Sequence, residues 1–165
     1  TLSISGRGYA RQIITKFIKF VNLEKLALST FVGDSLEELV NAISCLSNLT
    51  WLNISENKCF RVINNRNLQL IYKMIDKLPR LVHLDISNSR NTFEEPVMWL
   101  HSRRFQYLGL CFPEPNLFQT SANLNSEIVG NFHTVDGIVA SMKHVLTIEN
   151  LWERCLDRLI IMAKR

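Results

Sequence analysis

The sequence predicts an α/β solenoid in which short parallel strands alternate with helices, and two observations carry that prediction. The first is a seven-residue signature, Leu-x-x-Leu-x-Leu/Ile-Ser, found at Leu23–Ser29, Leu49–Ser55 and Leu81–Ser87. A weaker copy runs from Phe105 to Cys111, and Leu2-Ser3-Ile4-Ser5 matches the second half of another. The second is spacing: the aligned leucines at 2, 26, 52, 84 and 108 lie 24, 26, 32 and 24 residues apart. A fixed period of about 20–29 residues marks a stacked repeat architecture. A helical bundle has no reason to place one signature at such intervals.

These are leucine-rich repeats, and each motif is expected to form a strand near residues 2–5, 25–29, 51–55, 83–87 and 107–111. Side chains alternate along a strand, so Leu26/Leu28, Leu52/Ile54, Leu84/Ile86 and Leu108/Leu110 point into the solenoid and the residues between them line a concave face. Apolar residues at helical spacing separate the strands: Ala10, Ile13, Ile14, Phe17, Ile18 and Val21; Leu36, Leu39, Val40, Ile43 and Leu46; Leu68, Ile71, Ile75 and Leu78. These helices belong on the convex side. Asp34 with Glu37 suits a capping box for the second of them, and Pro96 suits the first turn of a short fourth helix ending near His101. The long third interval is assigned to a polar loop insertion, Glu56–Asn67. Such repeats often carry Asn three residues after the last motif leucine. Here only Asn57 fits, with Phe31, Ser89 and Pro113 in the equivalent places, so irregular turns are expected after the strands.

After Leu110 the pattern changes. Residues 112–133, rich in Asn, Ser, Thr and Gln with Pro113 and Pro115 at the start, show neither periodicity and are expected to connect the repeats of 1–111 to a helical part at 134–165. There Val135, Ile138, Val139, Met142, Val145 and Leu146 form one amphipathic stretch, and Leu151, Trp152, Leu156, Leu159, Ile160 and Ala163 a second. Thr147 between them is a natural N-cap, with Glu149 in the first turn. The pair fits either the start of an α-solenoid or a helical hairpin capping the repeats.

Composition excludes several classes. At 165 residues with 47% hydrophobic content the chain has ample material for a core. Cys45, Cys59, Cys111 and Cys155 are scattered, so neither a zinc ribbon nor a disulfide framework is suggested, and reduced thiols in a cytoplasmic or nuclear protein are expected. The Asn-x-Ser/Thr triplets at Asn48 and Asn53 are not read as glycosylated. No stretch approaches the roughly 20 apolar residues of a membrane helix, and no membrane association is expected. The net charge of +4 is spread along the chain, with pairs only at Arg103-Arg104 and Lys164-Arg165, which does not point to nucleic acid. The histidines (His83, His101, His133, His144) lack zinc-helix pairing, and no Gly-framed nucleophile or phosphate loop occurs, so no metal, cofactor or catalysis is expected. Asp85 lies two residues from His83 on one strand face. A solvated polar pair is the expected reading, because no third group completes a site.

The residues that bear on binding lie on the concave face. Alternation places Trp51, His83 and Tyr107 at one position of three successive strands, with Asn53 and Asp85 in the next column and Ser29, Ser55, Ser87 and Cys111 beyond. An exposed aromatic strip with polar neighbours has the composition of a protein-contact patch. The alternatives are a ladder stabilised by its own stacking, or cover by another part of the chain.

The Leu-x-x-Leu-x-Ile-Ser repeats, the Phe105–Leu110 strand and the passage Ser126-Glu127-Ile128-Val129-Gly130-Asn131 leading into paired helices resemble the Zyg family, the zyg-eleven homologues and their Zer relatives. The resemblance rests on the order of these parts and covers nearly the whole chain. It implies a non-catalytic substrate receptor of a cullin–RING ubiquitin ligase. Family members carry an elongin-binding box before the repeats and an armadillo-like region after them. No box is visible before Leu2, and the family's substrate pocket would lie beyond Arg165, so elongin and cullin are expected to bind outside this chain and no substrate-pocket residue is carried over to it. The chain begins within a repeat, as expected of a segment of a longer protein. From the repeats alone, an F-box-type receptor or a ribonuclease-inhibitor-like binder remains the alternative.

Overall fold

A computed structural model describes residues 1–3, 15–17, 19–28, 35–55, 65–87, 103–110, 126–130, 134–144 and 149–164. Among these, strands β1 (Leu2–Ser3), β2 (Lys25–Ala27), β3 (Trp51–Asn53), β4 (His83–Asp85), β5 (Phe105–Gly109) and β6 (Ser126–Gly130) form one sheet, all parallel and in chain order. The register aligns Leu2, Leu26, Leu52, Leu84, Leu108 and Val129 across the sheet. Parallel strands need crossover connections, and between β2 and β3 and between β3 and β4 a helix supplies one.

The first leucine of each motif poses a geometric problem. It stands three residues before the next core leucine, an odd spacing that a regular strand would send to the opposite face. Yet Leu49, Leu81 and Phe105 are as buried as Leu52, Leu84 and Leu108. The chain turns at the strand entrance: the amides of Thr50 and Trp51 both donate to the Glu24 carbonyl, those of Val82 and His83 to Thr50, and those of Gln106 and Tyr107 to Val82. Two residues thus oppose one, as in a bulge, and the leading apolar side chain rotates inward. At the strand exits the ladder runs one residue further, through Leu28, Ile54, Ile86 and Leu110 amides onto the neighbouring strand.

Helices α1 (Leu36–Ser44) and α2 (Asn65–Asp76) pack against the leucine side and against each other. Leu39, Val40 and Ile43 of α1 and Ile71, Met74 and Ile75 of α2 join the strand leucines in one buried cluster. Each such side chain contributes about 1.5–3 kcal/mol on leaving water, and neighbouring repeats supply the cover for one another. The cap of α1 differs by one residue from the expected box: the Ser35 hydroxyl accepts from the Glu38 amide at 3.3 Å. Ser35 has extended backbone, which aims its side chain at the open amides of the first turn. The expected Glu56–Asn67 insertion is shorter at its end, since Asn65, Arg66 and Asn67 already belong to α2. Residues 15–17 are helical, but Val21 is 55% exposed in a turn beyond that helix rather than on its buried face. The expected fourth helix at 96–101 lies outside the described residues, as do Asp34 and Thr147.

The sheet also extends past the end expected for it at residue 111. Strand β6 falls within the stretch read as connection, and pairs Tyr107 with Ile128 and Gly109 with Gly130. Helix α3 (Val135–His144) follows, capped by Thr134, whose hydroxyl accepts from the Gly137 amide at 3.0 Å. Helix α4 (Glu149–Ala163) packs on it through Ile138 and Cys155, with Met142, Leu159 and Met162 around them, a second core separate from the leucine cluster.

Candidate functional site: the concave face of the sheet

Register defines two columns on the face opposite the leucines. The first is Lys25, Trp51, His83, Tyr107 and Ile128, and the second is Ala27, Asn53, Asp85, Gly109 and Gly130. In the first the rings form a continuous ladder: Trp51 and His83 lie 5.1 Å apart between centroids at 34° between planes, His83 and Tyr107 4.4 Å apart at 28°. Adjacent parallel strands bring like positions within reach of each other, so sequence-distant rings stack without a turn to join them.

The expectation of an exposed strip is corrected along most of its length. Trp51 and His83 are half-buried, but Tyr107 is 1% exposed, Asn53 1% and Asp85 0%. Tyr107 is covered because the chain folds back over it. A Cβ added to Gly130 would stand 2.5 Å from the Ser141 hydroxyl and 2.7 Å from that of Tyr107. Gly130 shares the column of Asp85 and Gly109, so Ser141, and with it α3, sits on the concave side at the β6 end. Glycine at 130 leaves room for Ser141, whose hydroxyl donates back to the Gly137 carbonyl at 2.8 Å, to approach the strand closely.

Asn53 and Asp85 act on their own backbone. The Asn53 side-chain oxygen Oδ1 accepts from the Ser55 amide at 2.9 Å and the Ser55 hydroxyl at 2.6 Å, and the Asp85 carboxylate accepts from the Ser87 amide at 2.9 Å. These Asx turns hold the chain as it leaves β3 and β4. They supply the order at the strand exit that the missing asparagine pattern left unexplained. Asp85 leans over Gly109, where an added Cβ would meet its carboxylate oxygen at 2.5 Å. The solvated His83–Asp85 pair expected from the sequence is therefore not found: the carboxylate is buried and committed to a turn, and the imidazole stacks between rings.

Arg103, Arg104 and Asn48, read in the sequence only as a basic pair and an unglycosylated triplet, organise the opposite rim. The Arg103 guanidinium donates to the carbonyls of Ile75 at 2.6 Å, Leu78 at 2.5 Å and Leu81 at 3.0 Å, and lies 5.7 Å from the Phe105 ring centre. It ties the last turn of α2 to the strand one repeat later, adding a second donor to the Ile75 and Leu78 carbonyls and reaching the Leu81 carbonyl as well. Burial pushes its pKa below the usual arginine value, partly opposed by the Asp76 carboxylate. Arg104 beside it is 70% exposed and pairs with Glu127 at 3.1 Å. Asn48, one residue before its motif, donates to the Val21 carbonyl at 2.9 Å and accepts from Arg80 at 3.0 Å, Arg80 being the residue before the next motif. The available signal was positional: a polar side chain precedes the motif at Asn22, Asn48, Arg80 and Arg104.

Among the described residues no group of three or more His, Cys, Asp or Glu side chains could hold a metal ion, and no helix is long and apolar enough to cross a membrane. A parallel sheet in strict chain order, one leucine face packed on helices and an opposite face carrying a side-chain ladder, defines a leucine-rich-repeat protein, a class that typically serves as a protein-interaction module. Residues 9–97 match the family of Zer-1-like leucine-rich repeats. The match covers more than half of the chain, which belongs to that family. No curated protein and no solved structure gives a significant match.

Proposed function

We propose that this chain is a non-catalytic section of a substrate-recognition subunit of a cullin–RING ubiquitin ligase, present in the cytoplasm, the nucleus or both. Membership of the Zer-1-like repeat family is the observation that carries the reading. The sequential parallel sheet supports it physically, because stacked repeats contact only their neighbours and hold their two ends at a set separation. Elongin and the cullin would bind through segments other than the residues described, and α3 and α4 would open an armadillo-like part. The repeats thus contribute geometry to the ligase.

Within that role, the end of the concave face that is less covered among the described residues, Lys25 with the half-buried Trp51 and His83, is the surface for a protein contact. Tyr107, Asn53 and Asp85 serve it from beneath by fixing ring position and strand exit. Affinity purification of the full-length protein tests the assignment. Recovery of elongin and a cullin is expected. Their consistent absence, with a Skp-type adaptor in their place, would replace this reading with an F-box-type receptor.

A further inference from the structure

Tyr107 is buried yet belongs to neither apolar cluster. Among the described residues the leucine core takes in its neighbours Phe105, Leu108 and Leu110, and the second core joins only α3 and α4. Tyr107 is covered instead where α3 packs on β6. The close approach at that seat is made by Gly130 with the hydroxyls of Tyr107 and Ser141, and the bond to the Gly137 carbonyl holds the Ser141 rotamer. The backbone of Gly130 is not left-handed, so the seat requires space of it and not conformational freedom. Helices α1 and α2 share one buried cluster with the strands, whereas α3 and α4 carry a core of their own. Parting α3 and α4 from the sheet would therefore leave both clusters whole.

We propose that α3 and α4 move together as a removable cover over the β5–β6 end of the concave face, seated at Gly130. Units that open below the global unfolding free energy are those with few contacts to the main core. With the cover down, the ring ladder presents Trp51 and His83; with it lifted, Tyr107 joins them as a third ring. The cover thus sets the length of the contact strip, a consequence that rests on the concave face being the contact surface proposed above.

Hydroxyl-radical footprinting of the full-length protein, read by peptide mass spectrometry, follows the cover without any partner. Tyr72, 40% exposed on α2, is the internal standard for Tyr107. In rising urea, Tyr107 is expected to gain labelling while amides of β3, β4 and α3 still resist hydrogen exchange. Gly130→Ala sets a methyl against both hydroxyls and should raise the open-to-closed ratio by roughly tenfold to a hundredfold, enough to label Tyr107 without urea. Adding Ser141→Ala and Tyr107→Phe removes the two hydroxyls that the methyl meets and should restore protection at position 107. Labelling of Tyr107 only in step with loss of the β3 and β4 amides overturns the proposal. So does a Gly130→Ala protein that keeps Tyr107 protected, or one that loses α3 and the leucine strands at once. If Trp51→Ala costs the full-length protein no partner, the concave face loses its role as a contact surface, while the cover is still decided by footprinting alone.

Discussion

Replacing Arg103 by Met tests whether one side chain joins successive repeats. Methionine keeps much of the aliphatic stem that packs at the site and removes the three hydrogen bonds to Ile75, Leu78 and Leu81. Hydrogen bonds from a charged donor contribute about 1.5–3 kcal/mol each. The lower figure applies here, since the Ile75 and Leu78 carbonyls also accept from the Leu78 and Leu81 amides at 3.1 Å. Loss of the buried charge returns part of the total. Burial lowers the Arg103 pKa, so the cation opposes folding at every pH below its folded value, and that cost would lift only on deprotonation in strong alkali. The net loss is about 3 kcal/mol, or a fall of roughly 6–12 °C in Tm for a chain of this size. Arg103→Lys keeps the charge but not the planar fork, and should lose about 1–2 kcal/mol. Thermal melts and urea titrations across neutral pH measure both, with the effect independent of pH. An Arg103→Met protein within about 0.5 kcal/mol of the parent would refute the inference that these contacts clamp the repeats.

Three further outcomes follow from the same geometry. Gly109→Ala forces a Cβ to within 2.5 Å of the Asp85 carboxylate and should cost about 2 kcal/mol, less when Asp85 is also changed to Ala; a double-mutant cycle in urea reads the coupling, and strict additivity would argue against the close approach. Ser35→Ala removes the cap of α1 and should lower stability by about 1 kcal/mol, visible as earlier hydrogen exchange at the Glu38 amide. Trp51→Ala removes one end of the ring ladder; if that end is a contact surface, the full-length protein should lose a partner in quantitative pulldown while its melt falls by only a few degrees, whereas unchanged binding would leave the ring a purely structural role.

The repeat itself is local, and for that reason it is legible in the sequence. Leu26, Leu52, Leu84 and Leu108 recur at spacings that only stacked crossover units explain, and the structure aligns them in register. The ring column is equally legible, since it needs only alternation along a strand and one shared register. What pattern could not supply is which parts of the second face are covered. Alternation marks Tyr107 as opposite the leucines, but its burial depends on Ser141, a helix away, and on the absence of a side chain at Gly130. Asn53 and Asp85 look like surface groups because polar residues on a strand usually face water; each instead bonds the amide two residues on, a contact that periodicity does not register. Strand β6 carries no leucine, so it took pairing with β5 to define it. Arg103 looked like half of a solvated basic pair until the fold brought three carbonyls from α2 and the turn after it to its guanidinium. Sequence by itself determined the repeat, its inward face and the order of the strands, because burying apolar side chains at fixed intervals has one compact solution. Only tertiary structure decided what covers the other face, because hydrogen bonds and close approaches there join residues that no periodicity relates.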